Sequence, residues 1–249
     1  MTATIKRASD QISGTITAPP SKSMAHRAVL CAALAEGRSH ITNLEFSKDI
    51  SATLGAAAQL CANVHTGRED AVVEGLGHFV PLTAPVDCCE SGSTLRFLIP
   101  LASLTGQEVT FTGRGRLMER PQSVYETLYR EQNLRFEQSS AGLTVEGTLT
   151  PGEYRLAGNV SSQFISGLLF ALPLLSGDST LHLIPPVESR SYIDMTRSCR
   201  QPSVCRAIGW TKTLLPSRAG STITPAITPW RAITVRPRSR RCWGPRAAA

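Results

Sequence analysis

Three stretches of the chain, residues 24–35, 94–104 and 164–175, are apolar on nearly every helical face; in the first, only His26 and Arg27 are strongly polar. A helix that is hydrophobic all round is a buried one. Other segments alternate instead, as in Glu108-Val-Thr-Phe-Thr112 and Gly142-Leu-Thr-Val-Glu146, and alternation marks a strand with one wet face. Buried helices with half-wet strands predict an α/β domain turned inside out, with helices at the centre and three sheets around them. A central sheet would have put the continuous apolar runs in the strands.

The pattern repeats. Ser21-Lys-Ser23, Ser91-Gly-Ser93 and Ser161-Ser-Gln163 open the three apolar helices, each step being 70 residues. Each helix is followed by a break at Gly37, Gly106 or Gly177, then by a short strand at 40–44, 108–112 or 180–184. A second helix follows at 48–61 and 121–132, and a third such helix begins at Ser191. Three diverged copies of a β-α-β-α-β-β unit account for this order, at about residues 21–85, 86–150 and 151–196. The third copy is expected to be incomplete, without most of its second helix and its last two strands.

Composition explains that truncation. All nineteen acidic residues lie at or before Asp194, where they face fifteen Lys and Arg for a net −4; residues 195–249 hold eleven Lys and Arg and no acid, a net +11. That tail also carries all three tryptophans (Trp210, Trp230, Trp243) and no helical or strand period. One reading is a basic tail that binds nucleic acid or a membrane surface. The favoured one is a shifted GC-rich reading frame, which yields Arg, Pro, Ala, Ser, Trp and Cys with few acids, so residues 197–249 are expected to be non-homologous and disordered. The rest narrows the class. With 41% hydrophobic and 18% charged residues the chain is globular. The longest apolar stretch, 164–175, is interrupted by Ser166, Gly167 and Pro173 and is too short to span a bilayer. The N-terminus lacks the apolar core of a secretory signal. Seven scattered cysteines, without CxxC or HExxH, suit neither a disulfide scaffold nor a zinc site, and fit free thiols in a cytoplasmic protein.

Chemistry gathers at the helix starts. A helix N-terminus offers unpaired N–H groups and partial positive charge, hence an anion site. The first start adds Lys22 and Arg27, and Ser23 shares a helix face with Arg27 at i, i+4. The second adds Arg96, with Arg120 one strand later; the third gives Ser161, Ser162 and Gln163, three neutral donors in a row. Brought together by threefold packing, these ends would suit a ligand carrying phosphates and carboxylates. His26 reads as a structural or rim residue, the adjacent Cys88 and Cys89 as core thiols, and Arg114 and Arg116 as solvated loop charges.

Five motifs then carry a resemblance. Pro19-Pro-Ser-Lys-Ser-Met-Ala-His-Arg27, Glu90-Ser-Gly-Ser-Thr-Leu-Arg96, Leu117-Met-Glu-Arg-Pro121, Val160-Ser-Ser-Gln-Phe164 and Ser189-Arg-Ser-Tyr-Ile-Asp194 resemble, in order, signatures of the 5-enolpyruvylshikimate-3-phosphate synthase family. The resemblance covers residues 5–196. It implies an inside-out α/β barrel domain of the enolpyruvyl transferase type, with residues 1–20 belonging to the other domain and hinge and residues 21–196 forming a substrate-binding domain. It implies transfer of the carboxyvinyl group of phosphoenolpyruvate to the 5-hydroxyl of shikimate 3-phosphate, by addition and elimination, in a cytoplasmic monomer without cofactor or metal. By the same resemblance Lys22 is catalytic, and Lys22, Gly92, Arg120 and Gln163 hold phosphoenolpyruvate. Ser23, Arg27, Ser161, Ser162, Gln163, Ser189 and Tyr192 hold shikimate 3-phosphate. Two departures stand out: Glu90 replaces a common Asn, and the family chain is about twice as long, its second domain supplying further carboxylates and cations. This chain alone is therefore expected to be inactive, and a non-catalytic remnant binding phosphate ligands is the alternative.

Overall fold

In the computed structural model the described residues are Thr4, residues 19–200 and residues 214–217. The first unit runs α1 (Lys22–Leu34), β1 (Gly37–Thr42), α2 (Lys48–Leu60), β2 (Ala62–Thr66) and β3 (Asp70–Gly75). The second runs β4 (Val86–Asp87), α3 (Gly92–Ala102), β5 (Val109–Thr112), α4 (Ser123–Glu131), β6 (Arg135–Gln138) and β7 (Leu143–Glu146). The third runs β8 (Glu153–Ala157), α5 (Ser162–Ala171), β9 (Ser179–Ile184), α6 (Arg190–Arg200) and β10 (Leu214–Ser217). The expectations for residues 1–20 and for the tail lie outside the described residues, apart from Thr4, Pro19, Pro20, the end of α6 and β10.

Serine hydroxyls start the three buried helices. Ser21, Ser91 and Ser161 stand at the N-caps and accept from the N–H groups of Met24, Thr94 and Gln163 at 3.4, 3.2 and 3.4 Å. Such caps satisfy one of the four N–H groups that a helix leaves unpaired. Every residue from Ala25 to Ala33 in α1 is buried, and α3 and α5 are buried along nearly their whole length. The second helix of each unit fills a seam between these three. Contacts join α1 to α2, α2 to α3, α3 to α5, α5 to α6 and α6 back to α1. The remaining seam belongs to α4, whose Tyr125 reaches both the α3 and α5 backbones.

The three sheets lie outside this bundle, in the strand orders β1-β3-β2, β4-β5-β7-β6 and β8-β9-β10. Their buried residues alternate, as with Val109 and Phe111 in β5 or Leu181 and Leu183 in β9, and point to the helices. The inside-out arrangement predicted from the patterning is the observed one.

Two local features depart from the patterning. The apolar run 164–175 is not one helix: α5 ends at Ala171 and a 3-10 turn, Leu172–Leu174, carries Pro173. The third unit keeps its second helix, contrary to the expected loss. With 11 residues, α6 lies between α2 with 13 and α4 with 9. Ile193, Thr196 and Cys199 recur every third position and all are buried, so a core-facing stripe runs through the change of composition.

Pro100 sits inside α3. It has no N–H for the carbonyl of Arg96, four residues earlier. The buried Tyr125 hydroxyl donates to that carbonyl at 2.7 Å, and also reaches the Phe164 carbonyl at 3.0 Å. Where α3 and α5 cross, Gly167 leaves room for this contact; a Cβ there would lie 2.2 Å from the Tyr125 hydroxyl and 2.4 Å from the Arg96 carbonyl. Tyr125→Phe is thus expected to leave a buried carbonyl short of its donor and to lower stability by about 1–3 kcal/mol, read as a lower urea midpoint with unchanged slope. An unchanged midpoint would remove Tyr125 from this role.

Candidate functional site

The first turns of α1, α3 and α5 line one cavity of about 490 Å³, through Lys22 and Ser23, Gly92 and Ser93, and Ser162 and Gln163. Three helix N-termini therefore aim about half a positive charge each at a common space. Lys22, Arg27 and Arg120 add full charges, against the carboxylates of Asp49 and Glu90.

Arg27 is only 2% exposed. Its Nε donates to Thr196 Oγ1 at 2.7 Å, Nη1 to the Ser23 carbonyl at 2.7 Å, and Nη2 to Ser166 Oγ at 3.1 Å and the Tyr192 carbonyl at 3.2 Å. Its Cζ lies 5.1 Å from the Phe97 ring centroid and 6.0 Å from that of Tyr192. All these partners are neutral. Burial lowers the Arg27 pKa from the ordinary guanidinium value, yet an arginine keeps its proton in a protein. The result is a desolvated cation on the cavity wall with no carboxylate among its hydrogen-bond partners.

The other walls are braced. Lys22 Nζ meets Asp49 Oδ2 at 2.7 Å across from α2. Arg96, whose pKa burial also lowers, donates through Nη1 to Gln163 Oε1 at 2.8 Å, and Gln163 Nε2 donates to Ser93 Oγ at 2.8 Å. Gln163 is thereby held between two helix starts. Gly92 is the place where a guanidinium closes on the backbone: a Cβ there would lie 3.0 Å from Arg120 Nη1.

The cavity brings together Lys22, Ser23, Arg27, Gly92, Arg120, Ser161, Ser162, Gln163 and Tyr192. Ser189 is not among the lining residues. It is exposed, its φ is +50°, and its carbonyl accepts from Tyr192 N at 3.0 Å to start α6. Asp49 and Ser93 were not anticipated; Asp49 in the first turn of α2 reads, in sequence, as an ordinary partner for a helix N-terminus.

The family profile described as EPSP synthase (3-phosphoshikimate 1-carboxyvinyltransferase) matches residues 6–199. The chain belongs to the EPSP synthase family. It is 47% identical over 188 residues to the 3-phosphoshikimate 1-carboxyvinyltransferase of Clostridium kluyveri, covering 75% of this chain and 44% of that relative. It is 44% identical over 204 residues to the enzyme of the same name from Clostridium novyi, covering 77% of this chain and 47% of that relative. The chain thus spans about half the length of the curated relatives it matches. The EPSP synthase of Acinetobacter baumannii shares the fold, with a TM-score of 0.73 at 21% identity over 85% of this chain and 48% of that one. The inside-out fold of this EPSP synthase family member is therefore the fold of its relatives.

Beneath the cavity a buried chain of hydroxyls links α1, α2 and α3. His26 Nδ1 lies 2.7 Å from Thr53 Oγ1, Thr53 Oγ1 lies 2.7 Å from Thr94 Oγ1, and Thr94 Oγ1 donates to Ser91 Oγ at 2.7 Å. Burial, with a smaller contribution from the charges of Lys22 and Arg27 and against the pull of Asp49, lowers the His26 pKa to about 4. As pH falls below about 6.5 the unfolded chain takes this proton first, so stability is present above that pH and is lost on the way to about pH 4. The expected loss is about 3 kcal/mol, at about 1.4 kcal/mol per pH decade. Urea unfolding of the native chain and of His26→Gln between pH 7 and pH 4 checks it; equal pH slopes in the two would contradict it.

Proposed function

We propose that this chain binds shikimate 3-phosphate and phosphoenolpyruvate side by side in the cavity, as one half of the site that transfers the carboxyvinyl group to the 5-hydroxyl. The observation that carries this reading is Arg27, a buried cation with neutral partners only, on a wall shared with three helix N-termini. Such a site favours an anion strongly, and two anions better than one. The name 3-phosphoshikimate 1-carboxyvinyltransferase, carried by the relatives, supports carboxyvinyl transfer as the reaction.

The proposed placement follows the walls. Ser161 and Ser162 at the α5 start take the 3-phosphate, with Ser23, Arg27 and Tyr192 around the shikimate ring. Lys22, Arg120 and the bare backbone of Gly92 take phosphoenolpyruvate, and Gln163, fixed by Arg96 and Ser93, lies between the two. The 5-hydroxyl gives up its proton as its oxygen bonds to C2 of phosphoenolpyruvate and C3 gains a proton; inorganic phosphate then leaves C2 as C3 loses a proton and the C2–C3 double bond re-forms. In this placement the Lys22–Asp49 pair, 2.7 Å apart on the cavity wall, passes a proton to or from the reacting atoms. The prepositioned cations stabilise charge that builds in the tetrahedral intermediate. The reading places the chain in the cytoplasm as a monomer with small anionic substrates and without cofactor. Cys61, Cys88, Cys89 and Cys199 are thiols outside any disulfide, and no helix among the described residues is long and apolar enough to cross a membrane.

Holding substrates equally in ground and transition states gives no rate. One open cavity wall does not exclude water from the reacting atoms, so the 249-residue chain alone is expected to bind without turnover. Calorimetric titration should show binding of shikimate 3-phosphate that weakens about tenfold in Ser162→Ala, and no phosphate release when phosphoenolpyruvate is added. Phosphate release that disappears in Lys22→Ala would show that this half suffices. No binding of either substrate would overturn the proposed function.

A further inference from the structure

The tail strand β10 pairs antiparallel with β9, from Leu214↔His182 to Ser217↔Ser179. On the other side, β8 runs parallel to β9. In the second sheet β4 runs parallel to β5, and β7 pairs antiparallel on its far side; in the first, β3 pairs antiparallel with β1. By position and direction β10 is thus the counterpart of β3 and β7, although it lies beyond the residues 6–199 that match the family.

The backbone supports the same assignment. Thr180 N–H donates to the Gly152 carbonyl, and the Ile184 carbonyl accepts from Gly158, both on the β8 side. Strand residues alternate the direction of their hydrogen-bonding groups, so Thr180, His182 and Ile184 serve β8, whereas Ser179 and Leu181 face β10. The register then makes Leu215↔Leu181 and Ser217↔Ser179 the hydrogen-bonded pairs and sets Pro216 opposite Thr180. Proline has no N–H to donate. It stands at the one position of the strand's centre where no bond to β9 is needed, and its nitrogen faces away from the sheet. Proline on an outer strand is a known device against further strand addition.

We propose that residues 214–217 are a surrogate closing strand: they satisfy the free edge of β9 in the place a family strand would hold, and Pro216 ends the sheet there. Residues 214–217 are then part of the fold, and the third sheet does not recruit a second copy of the chain through β9.

Residue-resolved amide hydrogen exchange on the intact 249-residue chain tests this. The Ser179 and Leu181 amides should exchange about a hundredfold or more slower than open-chain amides, like those of Thr180 and His182. Leu215→Pro removes a bonding N–H; it should speed exchange at Ser179 and Leu181 at least about tenfold while Thr180 and His182, held by β8, keep their rates. Open-chain exchange at Ser179 and Leu181 in the native chain, beside protected Thr180 and His182, would overturn the proposal. So would a Leu215→Pro chain that exchanges like the native one.

Discussion

The fold turns on the burial of the Arg27 guanidinium. It touches Ser23 in its own helix, Ser166 in α5, Tyr192 and Thr196 in α6 and the Phe97 ring of α3. One side chain therefore ties the first unit to the second and third, at the point where three helices begin. A buried cation costs free energy unless its hydrogen bonds are met and its charge is answered. Neutral oxygens meet the hydrogen bonds, but they leave the charge itself to be answered from the cavity.

The same constraint explains the apolar character of the three core helices. Their sides are used up in packing against α2, α4, α6 and the sheets, so polar chemistry is confined to their ends. His26, Arg27, Thr94 and Ser166 are exceptions among the buried residues: Arg27 donates to Ser166, and His26 and Thr94 are paired into one hydroxyl chain with Thr53 and Ser91. Tyr125 does comparable work at the α3–α5 crossing, where Pro100 has taken away a backbone donor.

Much of this was legible along the chain. All-round apolar helices opened by serines at 70-residue steps give the inside-out order, because burial on every face and capping are local properties. The convergence of Lys22, Gly92, Arg120 and Ser162 follows once the three units are seen as copies. The pairing of Lys22 with Asp49 and the bridge Arg96–Gln163–Ser93 were not legible, since each joins residues tens of positions apart whose own neighbours give no sign of the contact. The length of α6 was missed for a different reason. Composition changes near residue 195, but the buried stripe Ile193, Thr196 and Cys199 continues through it, and the stripe decides the helix.

An anion in the cavity is the partner that the buried Arg27 charge calls for. The direct measurement is unfolding free energy against shikimate 3-phosphate concentration at fixed ionic strength, for the native chain and for Arg27→Met, each referred to its own ligand-free value. A ligand bound only by the folded state stabilises it by RT ln(1 + [L]/Kd). The native chain should gain stability with the logarithm of ligand concentration, and Arg27→Met should gain none. Equal gains in both chains, or the same gain from sodium chloride, would contradict the account.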